Sequence, residues 1–186
     1  MAAVEENLAA TFFELVLRYG YRRATLDDVA RLCRVSKKTI YDRFPSKEIL
    51  FEHALDHWAR GQRASVEARL TTAPADQLRE VVAFAFADAR AAASAGPSGA
   101  AAPFMEEPFD IVTEVNERVF APMVVDLIRR GNAEGAWHVE DPETTARFCV
   151  VVGIEAVNQL RRGQGRDPEA AALTAMLRLI GAAPEA

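Results

Sequence analysis

The residues best placed to do chemistry lie between Thr25 and Lys47, in TLDDVARLCRVSKKTIYDRFPSK. Lys37, Lys38 and Arg43 are cations, and Tyr41 and Asp42 present polar tips beside them. Side chains of these types on one short helix suit a DNA major groove, with cations for phosphates and polar tips for base edges. Asp42 could accept from a cytosine amino group, or it could be a solvated helix charge paired with Arg43. Residues 31–47 hold six basic residues against one acid, Asp42, and all three lysines of the chain, Lys37, Lys38 and Lys47, fall in this window.

Two short helices must hold these groups. Thr25 is a good N-cap, and Asp28 three residues on completes a capping box. Leu26, Val29, Ala30 and Leu32 then share one face of a helix ending near Cys33. The pattern breaks at Arg34-Val35. Ser36 starts a second helix as its N-cap, and Ile40 and Phe44 give it an apolar i, i+4 stripe over Lys37 to Phe44. Pro45 stops it. Ser46 caps a fourth helix, expected to run perhaps twenty residues to about Arg69. Lys47 in its first turn opposes the helix dipole, which makes sense where the helix end abuts a phosphate. An amphipathic first helix, about Val4 to Tyr19 with Gly20 at C′, completes a three-helix unit. A helix, a tight turn and a second helix with its own buried stripe read as a helix-turn-helix.

Residues from about Val4 to Ala59 resemble the DNA-binding domain of the tetracycline-repressor (TetR) family of bacterial regulators. The resemblance rests on the apolar first helix ending in RYGY, on ATLDDVARLCRVSKKTIYDRF and on PSKEILFEHAL. It implies that Lys37, Lys38 and Tyr41 face the groove, and that Thr25, Thr39, Tyr41, Arg43 and Lys47 approach phosphates. The sequence departs from the family pattern at Lys38 and Arg34, where glycine is frequent. Lys38 then adds a base or phosphate contact, and Arg34 implies a turn backbone that tolerates a side chain.

The chain has 186 residues, half of them hydrophobic, enough to bury a sizeable core. Its net charge of −5 argues against nucleic acid until the basic window is set against the acidic remainder. No signal peptide or spanning helix is legible, and the two cysteines, Cys33 and Cys149, form no CxxC, so reduced thiols in a cytoplasmic protein are expected.

Beyond Ala73-Pro74 the sequence reads as helices only. One runs from Leu78 to Ala93, followed by a small-residue loop, Ala93 to Pro103. Another runs from about Pro108 to Arg130, with a possible kink site at Pro122. Asp141-Pro142-Glu143 and Asp167-Pro168-Glu169 are twin helix starts, each with an N-cap Asp and Pro at the first helical position. The helix after the first is apolar on nearly every face; the helix after the second carries Leu173, Met176, Leu177 and Ile180 on one stripe. In the resembling family the last two helices pack against their copies. The candidate dimer interface is therefore Cys149, Val152, Gly153, Ala156, Leu173, Leu177 and Ile180, although periodicity alone equally allows a monomer core. A helix-turn-helix reading a palindrome needs two copies, which favours the dimer.

Trp58, Phe84, Phe86, Phe104, Phe109, Phe120 and Trp137 could line an effector pocket or simply be core. Glu106, Asp110, Glu114 and Glu117 recur near helical spacing; a solvated stripe is the ordinary reading, and a pocket for a cationic effector the sharper one. His53 and His57 have ligand spacing but no third ligand, so no metal and no cofactor is expected. No serine, cysteine or histidine has a catalytic neighbour pattern.

The expected fold is all-α, about nine helices, with a helix-turn-helix domain at 1–60 and a helical regulatory and dimerisation domain at 61–186. The expected function is a homodimeric regulator of transcription, a repressor released from a palindromic operator by a small molecule. A regulator controlled by a protein partner, and a helical ligand-binding protein or enzyme without a DNA role, are the alternatives.

Overall fold

The computed structural model describes residues 2–68, 73–94 and 108–182. These form eight α-helices: α1 (Ala2–Tyr19), α2 (Leu26–Cys33), α3 (Lys37–Tyr41), α4 (Lys47–Glu67), α5 (Pro74–Ser94), α6 (Phe109–Ala133), α7 (Pro142–Arg161) and α8 (Pro168–Leu179). Among the described residues none is long and apolar enough to cross a membrane. The loop expected at 93–103 lies largely outside the described residues, as do Phe104 and Glu106.

Local chemistry sets the helix starts. Thr25 Oγ1 accepts from Asp28 N at 3.2 Å, Ser36 Oγ from Thr39 N at 3.0 Å and Ser46 Oγ from Ile49 N at 3.3 Å. Asp141 and Asp167 each accept a backbone N–H three residues on at 3.0 Å, with Pro142 and Pro168 at the first helical positions. Each satisfies one of the amide donors that a helix start leaves open. Gly20 takes φ 87° after α1, and its N–H donates to Val16 O.

Three stops differ from expectation. The third helix ends at Tyr41 rather than Phe44, because Arg43 N bonds Ile40 O in a tightened turn ahead of Pro45. The fourth ends at Glu67, and α6 runs through Pro122 to Ala133. Leu32, expected on the apolar face of α2, is exposed.

Two cores result. The first joins Leu8, Phe12 and Val16 of α1 to Val29, Ile40, Phe44, Leu50 and Phe51, and takes in Val115 and Val119 from α6. The second joins α5, α6, α7 and α8 around Phe86, Ile128, Cys149, Met176 and Ile180. The boundary expected at residue 60 falls inside α4, and α6 contributes to both cores. The two halves are therefore packed through shared helices.

Candidate nucleic-acid interface and internal cavity

The short α3 stands on the surface with only Ile40 buried. Lys37, Lys38, Tyr41 and Asp42 are exposed on it, and Thr25 and Ser36 are exposed at the helix starts beside it. Thr39 and Arg43 are half-buried. Thr25 and Ser36 are committed to capping, so their remaining hydrogen-bonding capacity is limited. Thr25 Oγ1 donates to Asp28 Oδ2 at 2.6 Å, and Ser36 Oγ meets Thr39 Oγ1 at 2.8 Å.

Lys37, Lys38 and Arg43 each have an acid of the same chain beside them. Lys37 Nζ lies 2.8 Å from Asp27, Lys38 Nζ 3.6 Å from Asp42, and Arg43 Nε 3.8 Å from Glu5. The hydrogen bond that Lys37 donates to Asp27 keeps its ammonium protonated to higher pH than usual. The face is thus less positive than the linear window 31–47 suggested, since Asp27, Asp28 and Glu5 lie outside that window. Exposed pairs of this kind are weak and can be exchanged for a phosphate.

Lys47 already has partners within the subunit. Its Nζ donates to Tyr21 O at 2.5 Å, reaches Arg22 O at 3.4 Å and sits 4.3 Å from the centre of the Tyr21 ring. Desolvation lowers its pKa. Lys47 is first a strut that ties the start of α4 to the turn after α1. Arg34, where a tolerant turn was expected, takes φ 55° and ψ 42°, the left-handed region that disfavours side chains. Arg23 stands exposed in the turn leading to Thr25, a cation that the 31–47 window left out; the signal was the Arg22-Arg23 pair.

A cavity of about 620 Å³ lies within the helical body, walled by residues of α1, α4, α5, α6, α7 and α8. Trp58, Phe84, Phe86, Phe109 and Phe120 all line it, as the sequence offered. Trp137 does not. It packs against Gly131, where even a β-carbon would sit 2.0 Å from the indole, and its Nε1 donates to Ile128 O at 2.9 Å. The acids Asp110, Glu114 and Glu117 do not line the cavity either. Its charged lining groups are Arg161 and Arg162, with amides from Gln62, Asn116 and Asn158.

The residues expected at a dimer face take different positions in the subunit. Cys149, Ala156, Leu177 and Ile180 are buried within the subunit core. Cys149 and Gly153 line the cavity, and burial pushes the Cys149 thiol up to about 11. Val152 and Leu173 are half-buried. The apolar groups left outside are Phe148 on α7, 55% exposed, and Leu179 on α8, 40% exposed. Val152 follows Phe148 by one turn.

His53 packs on the Phe44 ring at 5.3 Å. Among the described residues no group of three or more His, Cys, Asp or Glu could hold a metal.

An all-α chain with an exposed helix-turn-helix and a cavity behind it defines a class of fold. Residues 9–54 match the family model described as bacterial regulatory proteins, tetR family. The match covers the first four helices, so this part of the chain resembles the DNA-binding domain of that family. No curated protein sequence matches it. Among solved structures, RolR in complex with resorcinol superposes with a TM-score of 0.80 at 17% identity, covering 98% of this chain and 89% of that one. Reduced E. coli NemR gives 0.69 at 17% identity, covering 98% and 100%. Bacillus subtilis FadR with stearoyl-CoA gives 0.68 at 13% identity, covering 96% and 98%. At such identities the likeness is one of fold.

Proposed function

We propose that the protein is a homodimeric repressor that reads a palindromic operator and is released from it by a small molecule bound in the cavity. The observation that carries this reading is the cavity's wall. Leu55, Trp58, Gln62 and Val66 of α4 line it, and α4 begins six residues after α3 ends. Occupancy that displaces α4 changes where α3 stands. Two recognition helices fit successive major grooves only near 34 Å apart, so a ligand favouring another spacing depletes the DNA-competent state.

In this reading Lys37, Lys38 and Tyr41 contact the groove, and Thr25, Thr39 and Arg43 approach phosphates. Asp42 either reads a base or releases Lys38 to do so. The dimer face is the outer side of α7 and α8, with Phe148, Val152 and Leu179 at its centre. The cavity's volume lies within the range for metabolite-sized ligands, which supports a small-molecule effector over control by a protein partner alone.

The test is a gel shift of the full chain on the DNA upstream of its own coding region and of neighbouring promoters. A protected palindrome with two half-sites one helical turn apart, or a multiple of it, is expected. Binding no tighter to these fragments than to random DNA at physiological salt would overturn the repressor reading.

A further inference from the structure

We infer that the cavity selects an uncharged, chiefly apolar ligand whose hydroxyl donates to Asn116 and accepts from Asn158. This rests on the cavity being the effector site. The polar side chains on the cavity wall divide into two sets. Gln62, Arg161 and Arg162 already have partners, Arg162 in Glu155 at 3.8 Å. Asn116 and Asn158 keep hydrogen-bonding capacity to spare. Asn116 Nδ2 donates to Val112 O at 2.7 Å. A carbonyl only accepts, so this bond fixes which end of the amide is nitrogen and leaves Oδ1 as the end to be satisfied. Among the described residues neither Asn116 Oδ1 nor the Asn158 amide has a partner.

The fold brings the two amides to one level. Arg129 of α6 pairs with Glu143 in the first turn of α7, so the two helices run antiparallel from that pair. Asn116 lies thirteen residues before Arg129, and thirteen residues beyond Glu143 is Ala156. Asn158 is two residues further, about 3 Å along the axis. From this level toward the α6–α7 turn the wall is apolar, with Met123, Val124 and Cys149 all buried. In the other direction lies Phe109, 56% exposed at the start of α6. An apolar body therefore fits on the turn side, with its polar group at the amides.

The two amides together call for a group that donates and accepts at once. A hydroxyl does both from a single oxygen. A ketone, an ether or an ionised carboxylate only accepts, and would leave Asn116 Oδ1 facing another acceptor. An ammonium donates, but no aspartate or glutamate appears among the described residues lining the cavity, and burying that charge without a partner is costly. Water also donates and accepts, and is the competing occupant of the amide pair. Amides that serve only to hold water make no distinction between an alcohol and its ketone.

Isothermal titration of the full-length protein with octanol, octanone and octanoate, each up to its solubility limit, separates the cases. Octanol should bind about tenfold more tightly than octanone, and octanoate more weakly than either. Asn116→Leu should bring octanol down to the affinity of octanone and leave octanone unchanged, whereas Asn158→Leu should weaken both. A purely structural role for Asn116 cannot produce that split. Should Asn116→Leu fail to fold, the ranking of the three probes on the parent chain decides alone. Octanone or octanoate binding as tightly as octanol, or equal losses for octanol and octanone in Asn116→Leu, would overturn the hydroxyl class and leave the cavity reading in place. Failure of all three probes to bind would overturn both.

Discussion

At the residue scale, the cations of the recognition face divide by what already holds them. Lys37 pairs only with exposed Asp27, so its exchange to a phosphate leaves the fold untouched. Lys37→Ala should weaken binding to all DNA alike and lower the slope of log K against log salt by about 1. Lys47 is braced on Tyr21 O and its ring, so Lys47→Ala should in addition lower unfolding stability by about 1 kcal/mol. Urea denaturation beside salt-dependent anisotropy checks both, and identical stability losses in the two variants would refute the division. Arg34 offers a second measurement. Its left-handed backbone is the conformation glycine adopts without strain, so Arg34→Gly should raise stability by about 1 kcal/mol in the same denaturation series. The N-caps were legible because capping is decided within four residues, as at Thr25 and Ser36. The ion pairs were not legible. Glu5 is distant in sequence from Arg43, and only the folded α1 brings them together.

At the element scale, α6 is the helix that contributes to both cores. Phe109, Val112, Asn116, Phe120 and Met123 face the cavity, while Arg118 bonds Glu52 at 3.0 Å and Asp56 at 3.0 Å on α4. Arg63 of α4 returns a bond to Val119 O at 3.0 Å. One turn on, Pro122 has no N–H to give Arg118 O, so the helix is weakest where it grips α4. A ligand pressing on Asn116 and Phe120 therefore acts on a helix able to bend, clamped to the helix that carries the reader. Arg118→Ala should leave operator affinity without effector nearly unchanged and reduce the effector-induced loss of affinity by about 1 kcal/mol of coupling. Anisotropy with and without effector measures it; undiminished coupling would refute the role. The clamp also has a pH signature. Burial alone would raise the Asp56 carboxyl, but hydrogen bonds from Arg60 and Arg118 outweigh it and hold it below its ordinary value. A lowered folded pKa contributes stability above the unfolded value near 3.9 and loses it as pH falls through the folded value. The clamp should therefore be intact from pH 5 upward, and Asp56→Asn should flatten the acid limb of Tm against pH. The cavity aromatics were legible as a set because large rings on several helices must meet somewhere. Of the two places open to Trp137, cavity or core, the structure takes the core, because its place is set by the absent side chain of Gly131, a tertiary fact.

At the scale of the whole molecule, the proposed dimer must use one side of α7. A helix apolar all round gives no preferred face, so periodicity could not choose between Cys149 and Phe148, neighbours about 100° apart on the wheel. The subunit's own packing chooses. It claims Cys149, Ala156, Leu177 and Ile180, half-buries Val152, and leaves Phe148 and Leu179 outward. A half-exposed phenylalanine one turn from a valine, with a leucine exposed on the adjoining helix, is a surface that a two-fold partner can cover. Phe148→Asp places a charge at the centre of that surface, where a second copy would have to bury it. Sedimentation velocity should show a dimer for the parent chain and a monomer of unchanged helical content for the variant. Operator binding should fall with dimerisation, because a single α3 reaches one half-site only and forfeits the gain from linked half-sites. Cys149→Ser, turned into the cavity, should leave the dimer intact. Dimers persisting in Phe148→Asp, or dissociating in Cys149→Ser, would put the interface on a different face of α7.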